Sequence, residues 1–153
     1  MSDTYLALIA KLGSRLTGDA TLASLMGGTV NLHHGLASKD APMPYIVHLA
    51  RFGVSRRIVC KGRWLIDLWD CLDLSGSADG ERIVNMRDRI ITLMDWIHLN
   101  SAEAVGIHIE LDESEQGFVA TDSEKVLRYE LPFSLAFARG REVDQILENA
   151  LTR

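Results

Sequence analysis

The segment Arg63-Trp64-Leu65-Ile66-Asp67-Leu68-Trp69-Asp70-Cys71-Leu72 constrains the fold more than any other stretch of the chain. In an extended strand, successive side chains point to opposite faces. Trp64, Ile66, Leu68, Asp70 and Leu72 therefore share one side, and Leu65, Asp67, Trp69 and Cys71 share the other. Both sides are largely apolar. Such a strand calls for cover on both faces, which predicts a sheet with helices on one side and a second surface, such as a neighbouring subunit, on the other.

The flanking segments supply the helices. Tyr5, Leu8, Ile9, Leu12 and Leu16 recur at helical spacing, with Asp3 or Thr4 as the expected cap and Gly18 beyond the end. Asp19 is placed to cap a short second helix carrying Leu22, Leu25 and Met26, which Gly27-Gly28 stops. Residues 30–32 suggest a brief strand, and residues 35–44, with Pro42 and Pro44, form a loop leading into the strand Tyr45-Ile46-Val47-His48-Leu49. Residues 56–72 read as one or two further strands.

After the small-residue break at 75–80, Ile83, Met86, Ile90, Leu93, Met94 and Ile97 form the apolar stripe of a long helix opposite Glu81, Arg82, Arg87 and Arg89. Segments 104–111, 117–121 and 125–138 alternate as strands, and Pro132 hints at an edge or a bulge in the last. Residues 142–151 carry Val143, Ile146, Leu147, Ala150 and Leu151 at helical spacing, as in a short amphipathic helix. The expected class is α+β, a mixed, mainly antiparallel sheet with helices packed on one face, in a single domain of 153 residues.

Composition narrows the function. Hydrophobic residues make up 47% and charged residues 24%, ordinary for a soluble globular chain, and no segment suits export or a membrane span. A net charge of −5 at pH 7 argues against a phosphate-gripping surface. Cys60 and Cys71 lack disulfide-framework or metal spacing, which fits free thiols in a reducing compartment.

No reactive constellation stands out, so neither a catalytic residue nor a metal or cofactor is expected. His33 and His34 are adjacent on an extended segment and point to opposite sides, which prevents chelation of one ion. His48, His98 and His108 sit among apolar neighbours, as hydrogen-bonded structural histidines do. No Gly-x-Ser-x-Gly, Cys-x-x-Cys or phosphate-binding glycine loop is present. The acidic group Glu110, Asp112, Glu113 and Glu115 matches no calcium loop and reads as a solvated hairpin. The basic stretch 51–63, with Arg56, Arg57, Lys61 and Arg63, reads as an exposed hairpin, either forming salt bridges with a partner or simply solvated.

This layout resembles the tail-terminator, or tail-completion, proteins of long-tailed phages, which are related to minor tail proteins. The opening helix runs into "TLASLMGG", followed by "APMPYIVH", the strand "RWLIDLWD", the helix "GERIVNMRDRIITLMD" and the late strand "VLRYELPFSLAF". Pro44, Tyr45 and Ile46 stand at the family's strand start, while Trp64, Trp96 and the terminal helix depart from its pattern. The resemblance implies a structural subunit, not an enzyme. Such subunits assemble in the host cytoplasm, usually as a homohexameric ring on the head-proximal end of the tail tube, and become part of the virion neck. The implied partners are further copies of the chain, the tail tube protein and the head-completion or connector proteins. DNA would pass the lumen without specific binding. Val143, Ile146, Leu147 and Leu151 are the expected subunit interface, with docking on the chain's own sheet as the alternative, and Arg56, Arg57 and Lys61 the expected tube or connector contact. Competing readings are another neck component (connector or stopper), a tail-tube subunit, an adaptor, or a small enzyme whose active site forms between subunits from scattered residues such as His48, Asp70 and Glu130.

Overall fold

The computed structural model describes residues 2–53, 59–71, 80–101 and 104–139. Two helices, α1 (Ser2–Thr17) and α2 (Ala20–Leu25), precede strands β1 (Leu32–His34), β2 (Tyr45–Phe52) and β3 (Val59–Cys71). Helix α3 (Glu81–Met94) follows, then β4 (Ile97–Leu99), β5 (Ala104–Leu111), β6 (Gly117–Val119) and β7 (Val126–Arg139). The strands form one sheet in the order β1-β2-β3-β7-β5-β4, with β6 also paired to β7. Only the β1–β2 pairing is parallel among these ladders. The α+β class with a mixed, mainly antiparallel sheet is thus the observed one.

All three helices lie on the same face. On β3 that face carries Cys60, Trp64, Ile66, Leu68 and Asp70, all buried. Their cross-strand partners on β7 include Tyr129, Leu131, Phe133 and Phe137, also buried. Leu8, Leu12 and Leu16 of α1 and Ile83, Met86, Ile90 and Met94 of α3 close this layer with no exposed surface. Each such side chain contributes about 1.5–3 kcal/mol by leaving water. Spacing of three or four residues makes those positions one stripe per helix, which is why the two helices bury them together.

Polar contacts fix the helices over the sheet. Asp19 accepts from the Leu22 amide at 2.8 Å, capping α2 as its sequence position suggests. The same carboxylate takes both the Nε and Nη2 donors of Arg89 on α3, at 2.9 and 2.7 Å. This bidentate pair holds the Asp19 carboxyl below its usual range, its hydrogen bond to Arg89 being the largest cause, and ties α2 to α3. Arg15 Nε on α1 donates to the Leu93 carbonyl at 2.9 Å.

Close backbone approach matters at Gly62. A Cβ there would lie 2.0 Å from the Arg51 carbonyl oxygen, so only glycine lets β2 and β3 meet where Phe52 faces Gly62.

Several elements differ from the sequence expectation. Helix α1 already includes Asp3 and Thr4, so neither caps it, a shift of the size by which helix ends fray. The first strand lies two residues later than 30–32, at Leu32–His34. Helix α3 ends at Met94, and Ile97 belongs to a strand instead of the helix stripe. The reason is local: Asp95 turns out of the helix and its carboxylate accepts from the Leu111 amide at 2.7 Å. Trp96 then takes φ 59° and donates its own amide to the Ile109 carbonyl at 2.8 Å.

Pro132 occupies the middle of central strand β7, not an edge. Its carbonyl accepts from the Asp112 amide at 2.9 Å, on the side where β5 ends at Leu111 and β6 begins at Gly117. The missing N–H faces the same way, toward the Asp112 carbonyl, which accepts from the Glu115 amide at 3.3 Å instead. The expected terminal helix at 142–151 lies outside the described residues.

Candidate functional site

The face of the sheet opposite the helices is the candidate site. It carries Tyr45, Val47, Leu49 and Arg51 from β2, and Lys61, Arg63, Leu65, Asp67 and Trp69 from β3. Arg128, Glu130, Pro132 and Ser134 from β7 complete its centre. Most of these side chains are half-buried, shielded by one another rather than by a covering layer.

One row crosses four strands. His33 meets Tyr45 edge-on at 5.6 Å, Tyr45 stacks on Trp69 at 6.0 Å, and the Arg128 guanidinium lies over Trp69 at 5.3 Å. Arg128 Nη2 also donates to Asp67 at 2.9 Å and to Glu130 at 3.1 Å. Its Nε has no acceptor among the described residues. Beside this row is a concavity of about 380 Å³, floored by Val47, Leu49, Leu65 and Pro132 and rimmed by Arg51, Arg63, Asp67 and Glu130. An apolar floor with aromatic and arginine anchors and a charged rim is the make-up of a protein-binding patch.

Lys61 is exposed on this face, at one end of the sheet, near Arg51 and Arg63, which are directly opposed. Arg63 is joined to Asp112 at 3.1 Å. Lys61 thus sits in a basic corner of an otherwise acidic chain. Arg56 and Arg57, expected to act with it, lie outside the described residues, as do Val143, Ile146, Leu147 and Leu151.

The helix-covered face holds two buried polar groups. The indole N–H of Trp64 donates to Nδ1 of His48 at 3.1 Å, which assigns the neutral His48 its proton on Nε2. Burial, and secondarily the Coulombic effect of neighbouring His34, lowers the His48 pKa to about 4. Asp70 is held by Arg82 of α3, whose Nε lies 2.8 Å from Oδ2. Within the chain the three residues do not meet: His48 and Asp70 lie in the core, and Glu130 points to the other face of the sheet.

His33 and His34 do diverge, His33 to Tyr45 on the open face and His34 to Tyr5 and His48 beneath α1. The acidic group at 110–115 is divided among neighbours: Asp112 pairs with Arg63 and Ser114, and Glu110 lies 3.3 Å from His108.

His98 and His108, each expected as a hydrogen-bonded histidine among apolar neighbours, are direct cross-strand partners whose ring nitrogens are 2.7 Å apart. Their matching contexts, Ile97-His98-Leu99 and Ile107-His108-Ile109, carried that signal, but a helix stripe drawn through Ile97 concealed it. Among the described residues no group of three acidic, histidine or cysteine ligands forms a metal centre, and no helix is long and apolar enough to cross a membrane.

No family model and no curated protein matches the chain. Among solved structures, a chain of the virion of a native gene transfer agent particle is similar, with a TM-score of 0.62 at 16% identity over 86% of this chain and 95% of that one. A second solved structure has a TM-score of 0.61 at 9% identity, over 88% of this chain and 95% of that one. At these identities the likeness is one of fold.

Proposed function

We propose that this chain is a structural subunit of a phage-type particle, specifically a tail terminator, in which residues 1–153 act as a single domain. It closes as a ring on the head-proximal end of the tail tube, stops tube growth and presents a surface to the head connector. The observation that carries this reading is the fold shared with a gene transfer agent virion chain over 95% of that chain's length. The order of elements, which resembles tail-completion proteins, supports it independently.

The open face fits the role. A subunit that works by binding geometry needs a surface its own fold leaves uncovered, and the Tyr45–Trp69–Arg128 row beside the apolar-floored concavity provides one. In this reading Lys61, with Arg56 and Arg57, contacts the tube or connector, and Val143, Ile146, Leu147 and Leu151 pack against the neighbouring copy. Net acidity repeated around a ring lets DNA pass the lumen by repulsion of phosphates. The particle neck is then its location and the host cytoplasm its place of assembly.

The test is native mass by light scattering across a concentration series, with and without tail tubes. A closed ring, or a monomer that forms one only on tube ends and halts elongation, is expected. Unlimited polymerisation would reassign the chain as a tube subunit, and a concentration-independent dimer indifferent to tubes would reject the reading altogether.

A further inference from the structure

We propose that His98 and His108 form a two-imidazole site for a borderline divalent transition-metal ion such as Zn²⁺ or Ni²⁺, with Glu110 as a positioning residue. The site lies at the β4 edge of the sheet, away from the Tyr45–Trp69–Arg128 row, and does not depend on the tail-terminator reading.

The geometry comes first. His98 and His108 are directly opposed on antiparallel strands, so both rings project from the same face. The ring centroids are 4.6 Å apart, and Nε2 of His98 lies 2.7 Å from Nδ1 of His108. Two imidazole nitrogens on one tetrahedral ion, each at about 2.0–2.1 Å, lie roughly 3.3 Å apart. Parting the rings by about half an ångström therefore suffices, and exposed His98 has room to do it.

Protonation states follow from the neighbours. Glu110 Oε1 lies 3.3 Å from Nε2 of His108, and its negative charge favours the tautomer with the His108 proton on that nitrogen. The Nδ1 lone pair of His108 is then aimed at His98. In the metal-free protein His98 fills that gap by donating its Nε2 proton. Moving that proton to Nδ1 of the same ring leaves His98 neutral and turns its Nε2 lone pair toward its partner. Two facing lone pairs repel one another unless a cation sits between them. A carboxylate fixing the outer nitrogen of a ligating histidine is the usual support for such an ion. The Trp96 ring, 5.4 Å edge-on to His108, flanks the site.

Neutral imidazoles select borderline ions over Mg²⁺ or Ca²⁺, which prefer oxygen. No third ligand completes a cluster among the described residues, so the ion's other positions are left to water.

The experiment is equilibrium dialysis of the purified chain against Zn²⁺, with Mg²⁺ in parallel, on the wild type and single variants. One Zn²⁺ per chain and no Mg²⁺ uptake is expected. His98→Ala and His108→Ala should each weaken Zn²⁺ binding tenfold or more, Glu110→Gln about tenfold, and His33→Ala not at all. Histidine ring resonances of the wild-type protein provide a check that requires no variant: those of His98 and His108 should shift together on Zn²⁺ addition. Equal Zn²⁺ uptake by wild type and His98→Ala, or ring shifts confined to other histidines, would overturn the proposal.

Discussion

The same three strands, β2, β3 and β7, build two faces of opposite character. Beneath the helices, Trp64, Ile66, Leu68, Leu131 and Phe133 are all but fully buried, and the polar side chains among them, His48 and Asp70, each have an assigned partner. On the open face, Tyr45, Trp69, Arg128 and Glu130 are half-buried, held by stacking and shared ion pairs, with one arginine nitrogen lacking an acceptor. Alternation along one strand therefore gives the sheet one side that builds the core and one side that the proposed function assigns to recognition. The covered side makes the fold, and the open side is left for something else to cover.

The sharpest way to break this contrast is to truncate matched tryptophans on opposite sides of β3. Trp64→Ala removes the largest fully buried side chain and the only hydrogen bond assigned to His48 Nδ1 among the described residues. A loss of about 3–5 kcal/mol in unfolding free energy is expected from chemical denaturation. Trp69→Ala, with its ring partly in solvent and one face against Tyr45, should cost about 1–2 kcal/mol, roughly the value of a half-buried aromatic and its stacking. If the open face serves the proposed ring, the main effect of Trp69→Ala should appear as lost ring closure or tube capping. Equal destabilisation by the two would mean that the faces do not differ as described.

Acid provides the next largest effect, and it acts on the covered face alone. The folded His48 resists protonation down to about pH 4, whereas an unfolded histidine titrates near 6.5. Between those values the unfolded state binds a proton that the folded state excludes. Stability is therefore fully present above pH 6.5 and falls as pH drops, with the loss approaching about 3 kcal/mol near and below pH 4. Protonation would also place an N–H on Nδ1 against the indole N–H of Trp64. Denaturant midpoints at pH 7, 5.5 and 4 should decline less in His48→Gln, which retains an acceptor for the indole without a titrating ring. Asp19, held low by Arg89, loses stability in the same direction in both proteins, so only the difference in slope reports His48.

Much of this division could be read from the sequence. Alternation along 63–71 announced a strand with apolar side chains on both faces, of which the chain itself covers one; Asp19 announced its cap, and 104–111 coincides with β5. What escaped depended on distance. Helical periodicity through Met94 and Ile97 continued a stripe past the point where Asp95, bonded to Leu111 sixteen positions away, ends the helix. Once β4 was missed, nothing local could place His98 opposite His108. Pro132 looked like an edge residue because the break between β5 and β6 that accommodates it lies in other segments. The Tyr45–Trp69–Arg128 row likewise exists only through register across three strands.

The smallest expected change in stability tests the open face most directly. Lys61 is exposed on β3, with Ala136 opposite and no carboxylate paired to it among the described residues. Lys61→Glu should thus alter the unfolding free energy by no more than about 0.5 kcal/mol. It does, however, reverse one charge in the corner that also holds Arg51 and Arg63. If that corner meets an acidic surface of the tube or connector, the variant should fold normally, cap tubes markedly more slowly, and show a weaker salt dependence of capping than the wild type, because the attraction being screened is reduced. Wild-type capping rates with unaltered salt dependence would remove Lys61 from the contact and leave the aromatic row and its concavity to carry recognition alone.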